Sequence, residues 1–242
     1  MIAVGVWSIL SRAVGRSGLP SALQRSVRAG VAIFLGAWIG AALLLAPGPA
    51  SLLGQDPFYL TPLIPIFGAV ALTVVLGSLA FSATFRRVLD AASIPALHGV
   101  QLYRIIGAVF VILLAQGQLP AHFALPAGWG DVAVGLVAPF VALSLARGIR
   151  GGRTLAISWN LFGLMDLAVA VGMGTGFLAP LLMPDLGPRV PPAPAMGVFP
   201  MILVPLFAVP VSVLLHLLAL RGLRRELKFH PSSMIQPRGV AS

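Results

Sequence analysis

Cysteine does not occur in the 242 residues. Disulfides, thiolate metal sites and cysteine nucleophiles are therefore excluded. Acidic residues number only 6, and all charged residues together make up 9% of the chain. Soluble domains carry about 25%. Hydrophobic residues make up 58%, and the mean hydropathy is +0.99. A soluble fold of this length could not cover so apolar a core with so few charges, so the chain reads as an integral membrane protein. The sequence motifs of soluble catalysis are also missing. There is no Walker A loop, dinucleotide fingerprint or HExxH helix, and no GxSxG elbow. No enzymatic role, cofactor or metal cluster is expected. Lysine occurs once against fifteen arginines, and alanine and glycine are abundant. That bias points to a GC-rich bacterial genome and an inner-membrane location.

What is present is positive charge, with a formal net of +10. Nucleic acid is not the partner this implies, because of where the charges sit. Arg12, Arg16, Arg25 and Arg28 form one cluster, Arg86 and Arg87 a second, and Arg147, Arg150 and Arg153 a third. Arg221, Arg224, Arg225, Lys228 and Arg238 form the fourth. Basic residues bunched between apolar runs report membrane topology. A nucleic-acid module would need a folded polar domain to carry them, and the sequence has none.

Six apolar runs are long enough to cross a bilayer as helices: residues 29–47, 57–80, 99–118, 128–146, 154–175 and 197–220. Only a helix satisfies its own backbone there. The connections alternate in charge. Loop 48–56 has only Asp56, loop 119–127 has no charge, and loop 176–196 has Asp185 and Arg189 amid six prolines. Loops 81–98 and 147–153 and both flanks are basic. Both ends of the six-helix core are thus expected in the cytoplasm. The reading is an all-α bundle in three parts. Residues 1–28 form an N-terminal interfacial segment, 29–220 the transmembrane domain and 221–242 a basic cytoplasmic tail.

Residues 2–14 are apolar but short for a span, with no preceding basic region and no small-residue cleavage site. They read as an interfacial helix with Trp7 at the headgroup level, a seventh short span being the alternative. The bilayer is one partner, and the tail is expected to attract anionic lipid. Gly36 and Gly40 form a GxxxG, either a homo-oligomer face or an internal packing face.

Few polar residues lie inside the spans: Gln101, Tyr103 and Arg104 in the third, Trp129 and Asp131 in the fourth, Trp159, Asn160 and Asp166 in the fifth, Ser212 and His216 in the sixth. A charge at the bilayer centre costs about 2.5–3.5 kcal/mol on insertion scales, so such groups pair or face a cavity. Asp166 falls near the midplane and Asp131 near the outer face. Arg104 is placed to reach Asp166. A sealed pair that fixes helix register and a working ion or proton pathway both fit that spacing. Trp159, Gly163, Asp166 and Ala170 share one helix face, and Asp131, Gly135, Ala138 and Ala142 share another. Small residues let backbones approach, which turns both acids toward the bundle.

Interior prolines recur: Pro62 and Pro65, then Pro139, then Pro200, Pro205 and Pro210 in the last span. Each leaves a carbonyl one turn earlier without its donor, those of Met201 and Leu206 among them. His98 and His216 lie near the same face on different helices, which raises a bis-histidine haem as one option and boundary histidines as the other. The blocks Gln101-Leu102-Tyr103-Arg104, Gly128-Trp129-Gly130-Asp131 and Trp159-Asn160 through Asp166 resemble those of small bacterial multi-pass membrane proteins with no assigned activity. That resemblance covers most of 98–220 and implies no activity. Three functions stand open: a transporter- or channel-like protein for a small solute or protons, a structural or regulatory subunit, and a haem- or quinone-binding redox protein.

Overall fold

The computed structural model describes residues 1–46, 63–182, 184–186 and 193–229. Among these there is no β-strand. The principal helices are α1 (Ile2–Arg16), α2 (Ser21–Leu45), α3 (Leu63–Phe81), α4 (Ala83–Asp90), α5 (Ile94–Ala115), α6 (Ala121–Ala146) and α7 (Gly152–Gly174). The last, α8, opens with a π-helical turn, Val204–Ala208, and continues as Val209–Phe229. Five of them (α2, α5, α6, α7 and α8) are long and apolar enough to cross a membrane, and α3 with α4 makes a sixth if that bent pair is one span. The all-α bundle expected from composition is what forms.

Several helices start earlier than hydropathy alone indicates. α2 begins at Ser21, α5 at Ile94 and α6 at Ala121. Pro20 and Pro120 immediately precede α2 and α6, the position where a missing N–H costs nothing. The stretch 119–127 is therefore largely helix, and His122 sits in the first turn of α6 rather than in a loop. α2 runs unbroken across residue 28 and α8 across residue 220. Asp56, Pro62, Arg238 and much of the proline-rich loop lie outside the described residues.

The stretch 81–93 is not a simple loop. α3 and α4 meet at a bend of 98°. The bend is capped on both sides. The Ser82 hydroxyl accepts from Phe85 N–H, starting α4. The Arg86 guanidinium donates to the carbonyls of Leu79 and Ala80, which end α3. Helix ends must satisfy such orphan groups.

α8 is the axis. On one side α5, α6 and α7 pack with it into a tight four-helix half. On the other, Val6 and Ile9 of α1, Leu35 and Trp38 of α2 and Ala71 of α3 form an apolar cluster with Phe207, Val211 and Leu215 of α8. α1 has 15 residues, about 22 Å at 1.5 Å per residue, short of a ~30 Å hydrocarbon core. Trp7, expected among headgroups, packs against this apolar cluster.

The arginine clusters gather at one end. Asp90 of α4 pairs with Arg221 and Arg225 of α8. Ala13 and Val14 of α1 pack on Val88 of α4, and Leu223 of α8 packs with Val141 and Ala156. This is called the basic end below.

Candidate functional site

The middle of α5 is wound as a 3-10 helix from Val100 to Gly107. In a 3-10 helix residues i and i+3 eclipse, so every third residue faces one way. His98, Gln101, Arg104, Gly107 and Phe110 are all buried. A mid-span 3-10 segment thus lays a polar stripe along the inside of the bundle.

Arg104 is 2% exposed, and its guanidinium has a partner on each of three helices. Nε donates to Asp131 Oδ1 on α6 at 2.6 Å. Nη2 donates to Asp166 Oδ2 on α7. Nη1 donates to His216 Nε2 on α8 at 3.2 Å. The planar fork of five N–H donors suits such divided service, which a lysine could not match. Asp131, expected near the outer face, lies ten residues from the start of α6, about 15 Å along the helix, where it meets the same cation as Asp166.

The hydrogen-bond directions beyond Arg104 follow from donor chemistry. Arginine can only donate, so His216 Nε2 accepts and the ring carries its proton on Nδ1. That proton goes to Asn160 Oδ1 at 2.9 Å. The Asn160 amide then donates twice, to His98 Nε2 at 2.8 Å and to the Ala156 carbonyl at 2.7 Å. His98 Nδ1 donates to the Ile94 carbonyl at 2.8 Å. One consistent chain therefore runs Arg104, His216, Asn160, His98, Ile94, from the bundle centre toward the basic end. Trp159 packs against both imidazoles, its ring centroid 5.4 Å from His98 and 5.0 Å from His216, and its indole donates to the Val134 carbonyl.

This occupancy corrects the haem reading. Both ring nitrogens of His98 and both of His216 are already committed, and an asparagine amide bridges the two rings. Neither imidazole has a lone pair free for iron.

Gln101 and Tyr103 form a second group. Gln101 Nε2 donates to the Ser212 carbonyl, and the Tyr103 hydroxyl meets both Ser212 Oγ and the Ala208 carbonyl. They tie α5 to α8 rather than touching the carboxylates. Gln101 Oε1 is buried without a hydrogen-bond partner among the described residues.

Glycines make the close approach possible. A Cβ at Gly163 would meet the His216 ring and the Arg104 guanidinium, and one at Gly130 would meet the Asp166 carboxylate. The packed small faces on α6 and α7 are as the sequence indicates, with Gly135 lying on the α5 backbone at Ile105. Trp129 is turned outward from the bundle.

The charge count is the chemical content of the site. One guanidinium faces two carboxylates, and both histidines are neutral in the pattern above. With both acids ionised, one negative charge is uncompensated. Burying an unpaired ion costs several kcal/mol, so the site is balanced by one proton on the carboxylate pair or by an entering cation. The Asp131 side chain is 19% exposed against 7% for Asp166, so Asp131 is the more open of the two.

His98, raised from the sequence only as a haem or boundary histidine, and Ser212, noted only as a polar residue of the last span, complete the arrangement. The every-third spacing from His98 through Gln101 to Arg104 is the signal that identifies the histidine. Ser212 lies one turn from His216 on the same helix face.

A family profile described as a domain of unknown function (DUF8737) matches residues 61–224, which takes in every residue of this network. No curated protein and no solved structure matches the chain.

Proposed function

This chain belongs to the family of the domain of unknown function DUF8737, and from its own residues we propose that it is a membrane protein that moves protons, with the Asp131–Asp166 pair taking up and releasing the proton. The observation that carries the reading is the single guanidinium of Arg104 held between two carboxylates in the middle of an apolar bundle. Ionisable groups placed there mark proton and ion pathways. A shared proton on the pair makes the site neutral, and its loss makes it anionic. Arg104 holds the two carboxylates together in both states.

The His216–Asn160–His98 chain positions the arginine. An asparagine amide cannot pass a proton from one ring to the next, so the exchanging groups are the acids. Asp131, the more open of them, is the entry point. The basic end faces the cytoplasm in this reading, by the bias of arginine to that side, and the membrane is the bacterial inner membrane.

The test uses purified protein in liposomes loaded with a pH-sensitive dye, with a potassium diffusion potential set by valinomycin. Proton entry above that of empty vesicles is expected, and Asp131→Asn and Asp166→Asn abolish it. Wild-type flux equal to that of empty vesicles overturns the proposal. The three partners that hold Arg104 would then favour a structural or regulatory subunit, in which the network only fixes helix register.

A further inference from the structure

α1 does not lie flush on the bundle. Between it and α2, α3, α4 and α8 lies a cavity of about 300 Å³. Its walls include Val6, Leu35, Trp38, Val75 and Leu214. The wall residue with a side-chain hydroxyl, Ser78, already donates it to the Val74 carbonyl. Nothing in the cavity invites water, which needs two to four polar partners. A space of this size is also far larger than the voids of a packed protein interior. Hydrocarbon is the medium that fits it.

A second recess adjoins the first at Ile9, which lines both. It lies at the basic end and is lined by Arg12, Gly15, Arg16, Ser93 and Ala96 as well. Arg12 and Arg16 stand one turn apart on α1, where like charges repel. Among the described residues neither pairs with a carboxylate. Arg16 Nε donates to the Arg12 carbonyl at 3.4 Å, which leaves its Nη groups and the Arg12 guanidinium facing the recess. Two guanidinium groups without a carboxylate at the mouth of an apolar cavity make a matched pair of surfaces, one for an anion and one for a chain.

We infer that the recess and the cavity together form one binding site for an anionic phospholipid, its phosphate between Arg12 and Arg16 and an acyl chain in the space between α1 and α8. The charge of +2 selects an anionic headgroup over a zwitterionic one, because bidentate guanidinium–phosphate contacts gain from net attraction near the surface. The site is separate from the Arg104 network and does not depend on proton movement. It also differs from the basic tail, since it is built on α1.

Gly30 offers a clean probe. It lines the cavity, and a Cβ there would meet nothing within 4 Å. A Gly30→Trp substitution starts from that open position and puts an indole against the space. The experiment follows thermal unfolding of the full chain in detergent micelles doped with phosphatidylglycerol, phosphatidylcholine or inorganic phosphate. Phosphatidylglycerol is expected to raise the melting temperature more than the other two. Gly30→Trp should lose that increment while folding normally. The double variant Arg12→Gln/Arg16→Gln, changed only at exposed positions, should respond alike to both lipids. Equal stabilisation by phosphatidylglycerol and phosphatidylcholine in the wild type overturns the inference. So does an unchanged response in Gly30→Trp, or an effect that inorganic phosphate reproduces in full.

Discussion

The indole N–H of Trp38 on α2 donates to the carbonyl of Leu206 at 2.9 Å. Leu206 is four residues before Pro210, so its carbonyl lacks the ordinary i+4 donor. A tryptophan distant in sequence supplies the missing hydrogen bond, and this joins α2 to the π-helical turn of α8. Trp38 also packs edge-on against Phe34 and Phe207, with centroids 5.5 and 5.3 Å apart. Trp38→Phe keeps most of that packing and orphans the carbonyl, at a cost of about 1–3 kcal/mol. Unfolding in mixed micelles measures it. In a Pro210→Ala background the cost should shrink, because an alanine N–H can serve Leu206. Equal costs in both backgrounds would sink this account.

Arg104 is held by partners on three helices. Removing one partner of a buried ion pair costs about 3–5 kcal/mol because the other charge is stranded. Arg104→Gln strands two carboxylates and is expected at the top of that range. Asp131→Asn should cost less than Asp166→Asn, since Asp131 is the more exposed acid. Denaturation midpoints of the three variants provide the ranking, and a reversed order for the two acids would contradict the geometry.

The glycines separate into two kinds. Gly163→Ala pushes a methyl group into the His216 ring and should destabilise the fold by about 1–3 kcal/mol, as overpacking does. Gly36 and Gly40 have nothing within 4 Å of a Cβ, so alanine there should leave monomer stability unchanged. Among the described residues the GxxxG therefore makes no close internal packing contact. Cross-linking in membranes, with and without Gly36→Ala/Gly40→Ala, decides whether it joins two copies of the chain. Cross-linking that is absent, or indifferent to the substitutions, removes the homo-oligomer expectation.

Asp90 holds α4 to α8 through Arg221 and Arg225. All three side chains are partly exposed, and pairs of that kind contribute about 1 kcal/mol or less and fade with salt. Asp90→Asn should lower stability by no more than that at low ionic strength. At high salt the difference should vanish. A loss of several kcal/mol would mean that the contact anchors the bend between α3 and α4.

The limits of the sequence show in particular residues. Hydropathy located the spans, because a bilayer admits only apolar helices that satisfy their own backbone. It misplaced helix starts, because Pro20, Ser93 and Pro120 set those ends by local chemistry. It left His98 between a haem ligand and a boundary residue, and the helix start at Ile94 is what sets its ring against Asn160. The start of α6 at Ala121 likewise sets Asp131 ten residues along that helix, level with Arg104.

The amino-acid sequence by itself determined that the chain is an all-α bundle of membrane-crossing helices, and that Arg104, Asp131 and Asp166 could not lie buried without partners. Both follow from transfer free energies, which depend on residue type alone. Spacing along the helices already set Arg104 against Asp166, and the tertiary structure added Asp131 and His216 as its other partners. Arg104 binds groups 27, 62 and 112 residues away. That choice rests on how far each helix is rotated and raised against its neighbours. Glycine contacts and a 3-10 turn set those positions, and neither depends on hydropathy.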